Sequence, residues 1–151
     1  MRTAVPLVVF IALVAAAAFI GARFTPGEWY DSLQRPPLAP PNWIFGPVWT
    51  LLYIGIAVAG FLIWRSPETS RLALALWGTQ LTLNALWSYL FFGLERPGLA
   101  LVEISILLMV IVATTLFFFR IRPMAGALFV PYTMWVSFAT YLNAGFWYLN
   151  R

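Results

Sequence analysis

The chain has 151 residues, 62% of them hydrophobic and only 9% charged, where an ordinary soluble domain carries about 25% charged residues. A soluble domain of this length still needs charge to solvate the roughly 30% of chain surface it leaves outside, and nine cationic and five acidic side chains cannot supply it; a soluble enzyme, a disordered chain and a disulfide scaffold are excluded, leaving an integral membrane protein. The net charge of +4 comes from arginines scattered between apolar runs, not gathered into a stripe, so no nucleic acid partner is expected.

With no His and no Cys, the chain has no thiolate nucleophile, no Ser-His-Asp triad and no usual zinc or haem ligand. No metal site is expected.

Charges punctuate the sequence, and the intervals between them can be compared with the ~20 residues a helix needs to cross ~30 Å of hydrocarbon. Residues 3–22 are uncharged between Arg2 and Arg23. This run also has the outline of a secretory signal, but its length, with Gly21 and the alanines Ala15 to Ala18, favours a retained helix at about 4–23. Residues 36–64 are uncharged but begin with a proline-rich stretch, which places the second helix at about 43–64. Further apolar runs predict helices at about 71–93, 97–119 (with Glu103 inside) and 124–149. None alternates apolar and polar residues over ten-residue segments, which excludes a transmembrane β-barrel. The fold class is therefore all-α: a single domain, an integral, multi-pass bundle of five transmembrane helices. An odd count puts the termini on opposite sides, and the arginines divide five to four between those sides, leaning weakly to a cytoplasmic amino terminus.

The long connection between the first two helices is unusual. It holds Trp29, Tyr30 and Trp43 together with Pro36, Pro37, Pro40 and Pro41, which fix backbone dihedrals and reduce the entropy lost on ordering. Trp43 suits an anchor at the membrane interface. Trp29 and Tyr30, among Glu28, Asp31 and Arg35, suit a folded lid.

Polar and bulky groups within the helices need partners or a cavity. Gln80, Asn84, Trp87 and Phe91 share one helical face, Trp49 and Tyr53 lie one turn apart after Pro47, and Pro131, Trp135, Ala139 and Asn143 recur in steps of four. Ordinary interhelical packing explains Gln80 and Asn143 equally well. Indoles with a few carboxamides at Trp49, Asn84, Trp87 and Trp135 fit a pocket for a flat apolar ligand. Glu103, one turn into its helix, is expected to snorkel or to pair with Arg96 or Arg71; proton coupling is the alternative.

The run Trp29-Tyr30-Asp31-x-Leu33, Pro36, Pro40-Pro41-x-Trp43-x-Phe45-x-Pro47-Val48-Trp49-Thr50-x-Leu52-Tyr53 resembles the signature of the TspO/translocator protein family, also called TspO/MBR or the peripheral-type benzodiazepine receptors. Two further blocks agree: Asn84-Ala85-Leu86-Trp87-Ser88 with Phe91-Phe92-Gly93, and Pro131-Tyr132-x-x-Trp135-x-x-Phe138-Ala139-Thr140-Tyr141-Leu142-Asn143. The likeness is to a bacterial member and covers nearly the whole chain. It implies a membrane receptor or transporter, commonly a homodimer, that binds porphyrins such as protoporphyrin IX in a cavity capped by the first loop. Some members also take cholesterol and benzodiazepine-type ligands. Ligand contacts are expected at Trp29, Tyr30, Trp49, Tyr53, Asn84, Trp87, Trp135, Phe138 and Ala139, with Arg35 available to porphyrin propionates.

Because strong axial ligands are missing, a metal-free porphyrin or a weakly held haem is the better fit, and the porphyrin is a ligand and not a cofactor. Leu142, Tyr148 and Arg151 match a loose sterol pattern that also describes an ordinary lipid-facing helix end. Two other functions stay open: light- and oxygen-dependent porphyrin degradation without conventional catalytic residues, and proton-coupled export of a small molecule through Glu103. The sequence leaves open the physiological ligand, and whether the membrane is an inner or an outer one.

Overall fold

The computed structural model describes residues 4–151; Arg2, counted above as a flanking cation, lies outside the described residues. Every regular element among those residues is helical. The long helices are α1 (Ala4–Ala22), α3 (Phe45–Trp64), α4 (Arg71–Ser88), α5 (Pro97–Ile121) and α6 (Pro123–Leu149), and a short α2 (Glu28–Ser32) sits in the first loop. Three segments, Ala4–Ala22, Asn42–Trp64 and Pro97–Ile121, are long and apolar enough to cross a membrane by composition. α4 and α6 are less apolar because they carry the inward-facing carboxamides and hydroxyls described below.

Local chemistry sets the boundaries. Ser70 caps α4 by accepting a hydrogen bond from the Ala73 amide at 3.1 Å, satisfying one of the four unpaired amides at a helix start. α5 and α6 both begin on a proline, at Pro97 and Pro123. There the missing N–H costs nothing, and the proline ring pushes the preceding residue out of helical geometry. Arg96 (φ −118°, ψ 79°) and Arg122 (φ −150°, ψ 107°) are extended accordingly. Arg122 alone thus forms the whole α5–α6 corner. α4 continues into a π-helical turn at Tyr89–Gly93, closed by the Leu94 amide on the Tyr89 carbonyl at 2.8 Å. A β-carbon on Gly93 would lie 2.8 Å from the Phe24 ring, so glycine lets the chain after α1 lie against this turn.

The helices pack in a closed ring, α1 against α3, α3 against α6, α6 against α5, α5 against α4 and α4 back against α1. The centre is filled by Ile56, Ile63, Trp77, Ile104, Ile111, Phe118 and Phe129. Trp77 bridges the ring, its indole N–H donating to the Ile56 carbonyl at 2.9 Å. Gly60 makes room for it, since a β-carbon there would fall 2.5 Å from Trp77 Nε1. Hydroxyls along the helices bond back to their own carbonyls, as Thr114 does to Val110 and Thr133 to Phe129. This leaves them without need of water, the condition hydrocarbon imposes. Large apolar side chains such as Val8, Leu51, Val102, Leu116 and Met134 cover the outside.

The connection from α1 to α3 folds over one end of the ring and is tied down. Asn150 accepts from the Gln34 amide at 2.8 Å and donates to the Gln34 carbonyl at 3.0 Å. Tyr141 donates to the Pro37 carbonyl at 2.8 Å, and Pro36 packs onto Gly145, where a β-carbon would lie 2.5 Å away. Leu38 turns the chain with φ 68°. Arg35 donates to Asn42 at 3.1 Å and pairs with Asp31 at 3.6 Å. Trp43 projects outward, 73% exposed.

Two stability outcomes follow from this packing. Gly60→Val should cost about 1–3 kcal/mol by overpacking against Trp77, whereas Gly78→Ala, with nothing within 4 Å of the new methyl, should be neutral or stabilise by up to about 1 kcal/mol; unfolding in detergent micelles measures both. Asn150→Ala should raise hydrogen exchange across residues 28–38 and leave the long helices protected, as peptide-resolved exchange would show.

Candidate functional site

Beneath the loop, between α1, α3, α4 and α6, lies a cavity of about 340 Å³, within the range of small-molecule sites. α1 contributes Ala18, Gly21 and Ala22, and the chain after it Phe24, Thr25 and Pro26. α3 contributes Phe45, Gly46, Trp49, Thr50 and Tyr53; the end of α4 with its π turn contributes Trp87, Ser88, Phe91 and Phe92; α6 contributes Ala139, Leu142, Asn143 and Phe146. Tyr30 of α2 closes the top. α5 supplies no wall residue. Exposure of Ala22, Thr25, Gly46 and Thr50 places the mouth between the end of α1 and the start of α3.

The wall is mostly aromatic. Trp49 tilts over Tyr53 with centroids 5.5 Å apart, and Trp87 stacks on Phe91 at 5.3 Å. Tyr30 is wedged against Phe92 at 5.5 Å and Phe146 at 5.0 Å, under the Arg35 guanidinium at 5.2 Å. The π turn explains the density of rings on α4: by adding a residue to one turn it lets the sequence neighbours Phe91 and Phe92 both reach the cavity. Such turns are frequent at functional sites.

Behind the wall runs a chain of hydrogen bonds. Tyr53 donates to Asn84 Oδ1 at 3.1 Å, Asn84 Nδ2 donates to the Tyr132 hydroxyl at 2.8 Å, Tyr132 donates to Gln80 Oε1 at 2.7 Å, and Gln80 Nε2 donates to the Trp77 carbonyl at 2.9 Å. A second pair fixes Trp87, whose indole N–H donates to Asn143 Oδ1 at 2.9 Å, while Asn143 Nδ2 donates to the Pro97 carbonyl at 2.7 Å. All three carboxamides, Gln80, Asn84 and Asn143, are therefore consumed in placing aromatic groups.

Of the residues expected at the site, Tyr30, Trp49, Tyr53, Trp87 and Ala139 line this cavity. Asn84 stands one layer behind, holding Tyr53. Trp29 packs edge-on against Phe91 at 5.8 Å, outside the lining. Trp135 and Phe138 lie instead in an outward-facing apolar groove with Val48, Leu51, Leu52, Pro131 and Met134; Trp135 reaches the cavity only through Phe45, 6.0 Å away. The steps of four that grouped Pro131, Trp135, Ala139 and Asn143 advance about 40° each around a helix of 3.6 residues per turn. Across twelve residues the stripe winds from the outer groove to the cavity. Arg35 is occupied by Asp31 and Asn42 at the lid surface.

Glu103 does not behave as expected. It neither snorkels nor pairs with Arg96 or Arg71: it is 7% exposed, and neither carboxylate oxygen has a partner. The cause is the helix face, since position 103 lies with Ala100, Ile104 and Leu107 on the buried side of α5. Nor does the sterol pattern form one surface, for Leu142 is buried in the cavity wall while Tyr148 is exposed under Arg151.

Sequence reasoning offered interhelical packing for Gln80 but missed Tyr132 as its partner; it grouped Phe91 on the face of Asn84 and Trp87 but left Phe91, Phe92 and Phe146 out of the expected ligand contacts. The four-residue spacing of Gln80 and Asn84 on one helical face is the signal of a paired carboxamide ladder.

Burial raises the Tyr30 hydroxyl above its ordinary value of 10.0, with Arg35 opposing and Asp31 adding to the shift. The neutral phenol is therefore the form the closed lid prefers. The stability it contributes is complete below pH 10 and is lost as pH rises through the elevated value. Thermal unfolding followed from pH 8 upward should show an alkaline decline that is smaller in Tyr30→Phe.

The chain matches the family model described as TspO/MBR over residues 10–149. It is 43% identical to the tryptophan-rich protein TspO of Chlorobaculum tepidum, covering 95% of each chain. Against Protein CrtK of Rhodobacter capsulatus the identity is 38%, over 94% of this chain and 91% of the relative; against the human translocator protein it is 36%, over 97% and 91%. This is a membrane protein that belongs to the TspO/MBR family.

Proposed function

We propose that this protein crosses the membrane with all five long helices and receives a flat, largely apolar ligand of the porphyrin class in the cavity beneath the first loop. The observation that carries the reading is the cavity itself: a space walled by facing aromatic groups, with Trp49 and Tyr53 on α3 and Trp87 and Phe91 on α4, roofed by Tyr30 and open between α1 and α3. Aromatic faces stack on a planar macrocycle, while few polar atoms compete for water. α4 and α6 fall below the apolarity of the other helices because they bring Gln80, Asn84 and Tyr132 to one another and Asn143 to Trp87; those groups are satisfied inside the ring. The names of the relatives, a translocator protein and a tryptophan-rich sensory protein, fit a protein that holds such a ligand for movement or for sensing.

Two wall indoles, Trp49 and Trp87, also favour a second reading, in which a bound porphyrin excited by light in the presence of oxygen is degraded beside an oxidisable ring. Glu103, set on the one long helix that supplies no wall residue, gives no comparable support to export coupled to a proton.

Protoporphyrin IX titrated into the solubilised protein should quench its tryptophan fluorescence saturably. Ala139→Leu, which fills the cavity from α6, should weaken that binding at least about tenfold, and Trp49→Ala should weaken it by about three- to tenfold, as expected for losing a stacked aromatic contact. Unchanged affinity in both variants would remove the cavity as the site. For the second reading, product formed under light at an undiminished rate by a variant with both Trp49→Phe and Trp87→Phe would count against participation of these indoles.

A further inference from the structure

The hydrogen-bond chain behind the cavity has a fixed direction. A backbone carbonyl can only accept. The Trp77 carbonyl therefore fixes the Gln80 carboxamide with its NH₂ toward Trp77 and its oxygen toward Tyr132. Facing an acceptor, the Tyr132 hydroxyl gives its proton to Gln80, and its oxygen takes one from Asn84 Nδ2. Asn84 is then left presenting Oδ1 to Tyr53, and the Tyr53 proton is committed to it. Reversing any one link would set two acceptors or two donors against each other in a buried environment, where an unmade hydrogen bond costs most.

The consequence reaches the cavity wall. Tyr53 lines the cavity, and its oxygen stands 3.7 Å from where a β-carbon on Gly21 would project. With its proton held by Asn84, that oxygen can only accept from whatever occupies the space. Near it, the Asn143 carboxamide is spent on Trp87 and Pro97, and the Thr50 hydroxyl is spent on the Gly46 carbonyl. Ser88 Oγ, 3.5 Å from the same β-carbon position on Gly21, is a hydroxyl that can donate or accept and so imposes no polarity.

We infer that Tyr53 is locked as a hydrogen-bond acceptor, and that the inner end of the cavity selects flat apolar ligands carrying an N–H or O–H donor at the edge that reaches it. The inference rests on the cavity reading above and adds an orientation to it. An ionised carboxylate offers only acceptors and meets an acceptor at Tyr53, so the inner end disfavours it. A porphyrin bearing two carboxylates must enter by its hydrocarbon edge and leave those groups at the mouth between α1 and α3.

Two isosteric tricycles test this in the solubilised protein: carbazole, which presents one N–H, and dibenzofuran, which presents an oxygen in its place. Their binding is followed by probe emission and by tryptophan quenching. The wild type should favour carbazole over dibenzofuran by about three- to tenfold relative to Tyr53→Phe, the variant that supplies the baseline for partition into detergent. Gln80→Leu carries the sharper expectation. Gln80 touches no ligand, yet without it Tyr132 can donate only to Asn84, the carboxamide turns over to donate to Tyr53, and the Tyr53 proton swings into the cavity; the preference should vanish or pass to dibenzofuran. A preference that is equal in the wild type and Tyr53→Phe, or one that survives in Gln80→Leu, would overturn the locked acceptor while leaving the cavity reading intact. Failure of both probes to bind the wild type would overturn the cavity reading and the orientation with it.

Discussion

A polar group inside this bundle is costly unless it finds its partner within the protein, because neither hydrocarbon nor the apolar core supplies one; Glu103 and the Trp135 indole N–H are left without one. That constraint links Tyr53, Asn84, Tyr132, Gln80 and the Trp77 carbonyl into a single file across α3, α4 and α6. The file does more than satisfy its members. It pins the one cavity-wall tyrosine of α3, sets the rotation of α4 and α6 relative to each other, and ends on the residue whose indole crosses the ring to Ile56. Asn143 does the same for Trp87 and ties α6 to the start of α5. The aromatic surface of the cavity is thus held from behind by carboxamides, each of which would be costly to leave unpaired.

A cavity can persist in such a bundle because its surroundings are rigid. Large side chains fill the ring at the level of Ile56, Trp77 and Ile104. Toward the loop the small residues Ala18, Gly21, Gly46 and Ala139 leave the space that rings would otherwise occupy. The roof belongs to the same design. α2 presses Tyr30 onto Phe92 and Phe146, and the segment that follows is secured to the far end of the chain by Asn150 and Tyr141. Four prolines between residues 36 and 41 keep this cover stiff, so little order is gained or lost when a ligand comes beneath it.

Helices were legible in the sequence because charge is so costly in an apolar bundle that it marks the ends. Arg23 follows α1, Arg65 follows α3, Arg71 opens α4, and the Arg-Pro pairs at 96–97 and 122–123 mark two sharp corners. The cavity wall was legible at Trp49, Tyr53 and Trp87, whose spacing groups them on inward faces. Other features depend on phase and depth, which spacing over long stretches does not preserve. A four-residue step drifts around α6, so Trp135 lands in an outer groove while Ala139 and Asn143 face inward. The π turn changes the phase of α4 at Tyr89 and brings in Phe91 and Phe92 together. Glu103 looked shallow by count from the start of its helix, but the face it occupies is covered by neighbouring helices. The loop's short helix and its attachment to Asn150 join residues 116 positions apart, a pairing no local pattern contains.

The central claim is that a planar ligand lies between the aromatic groups of α3 and α4, under Tyr30. An experimental structure of the protein bound to protoporphyrin IX tests it most directly. The account predicts macrocycle density in contact with Trp49 and Trp87, its hydrocarbon edge toward Tyr53 and its carboxylates at the opening between α1 and α3. Density seated instead in the outer groove of Trp135 and Met134, with the space beneath the loop unchanged, would contradict it.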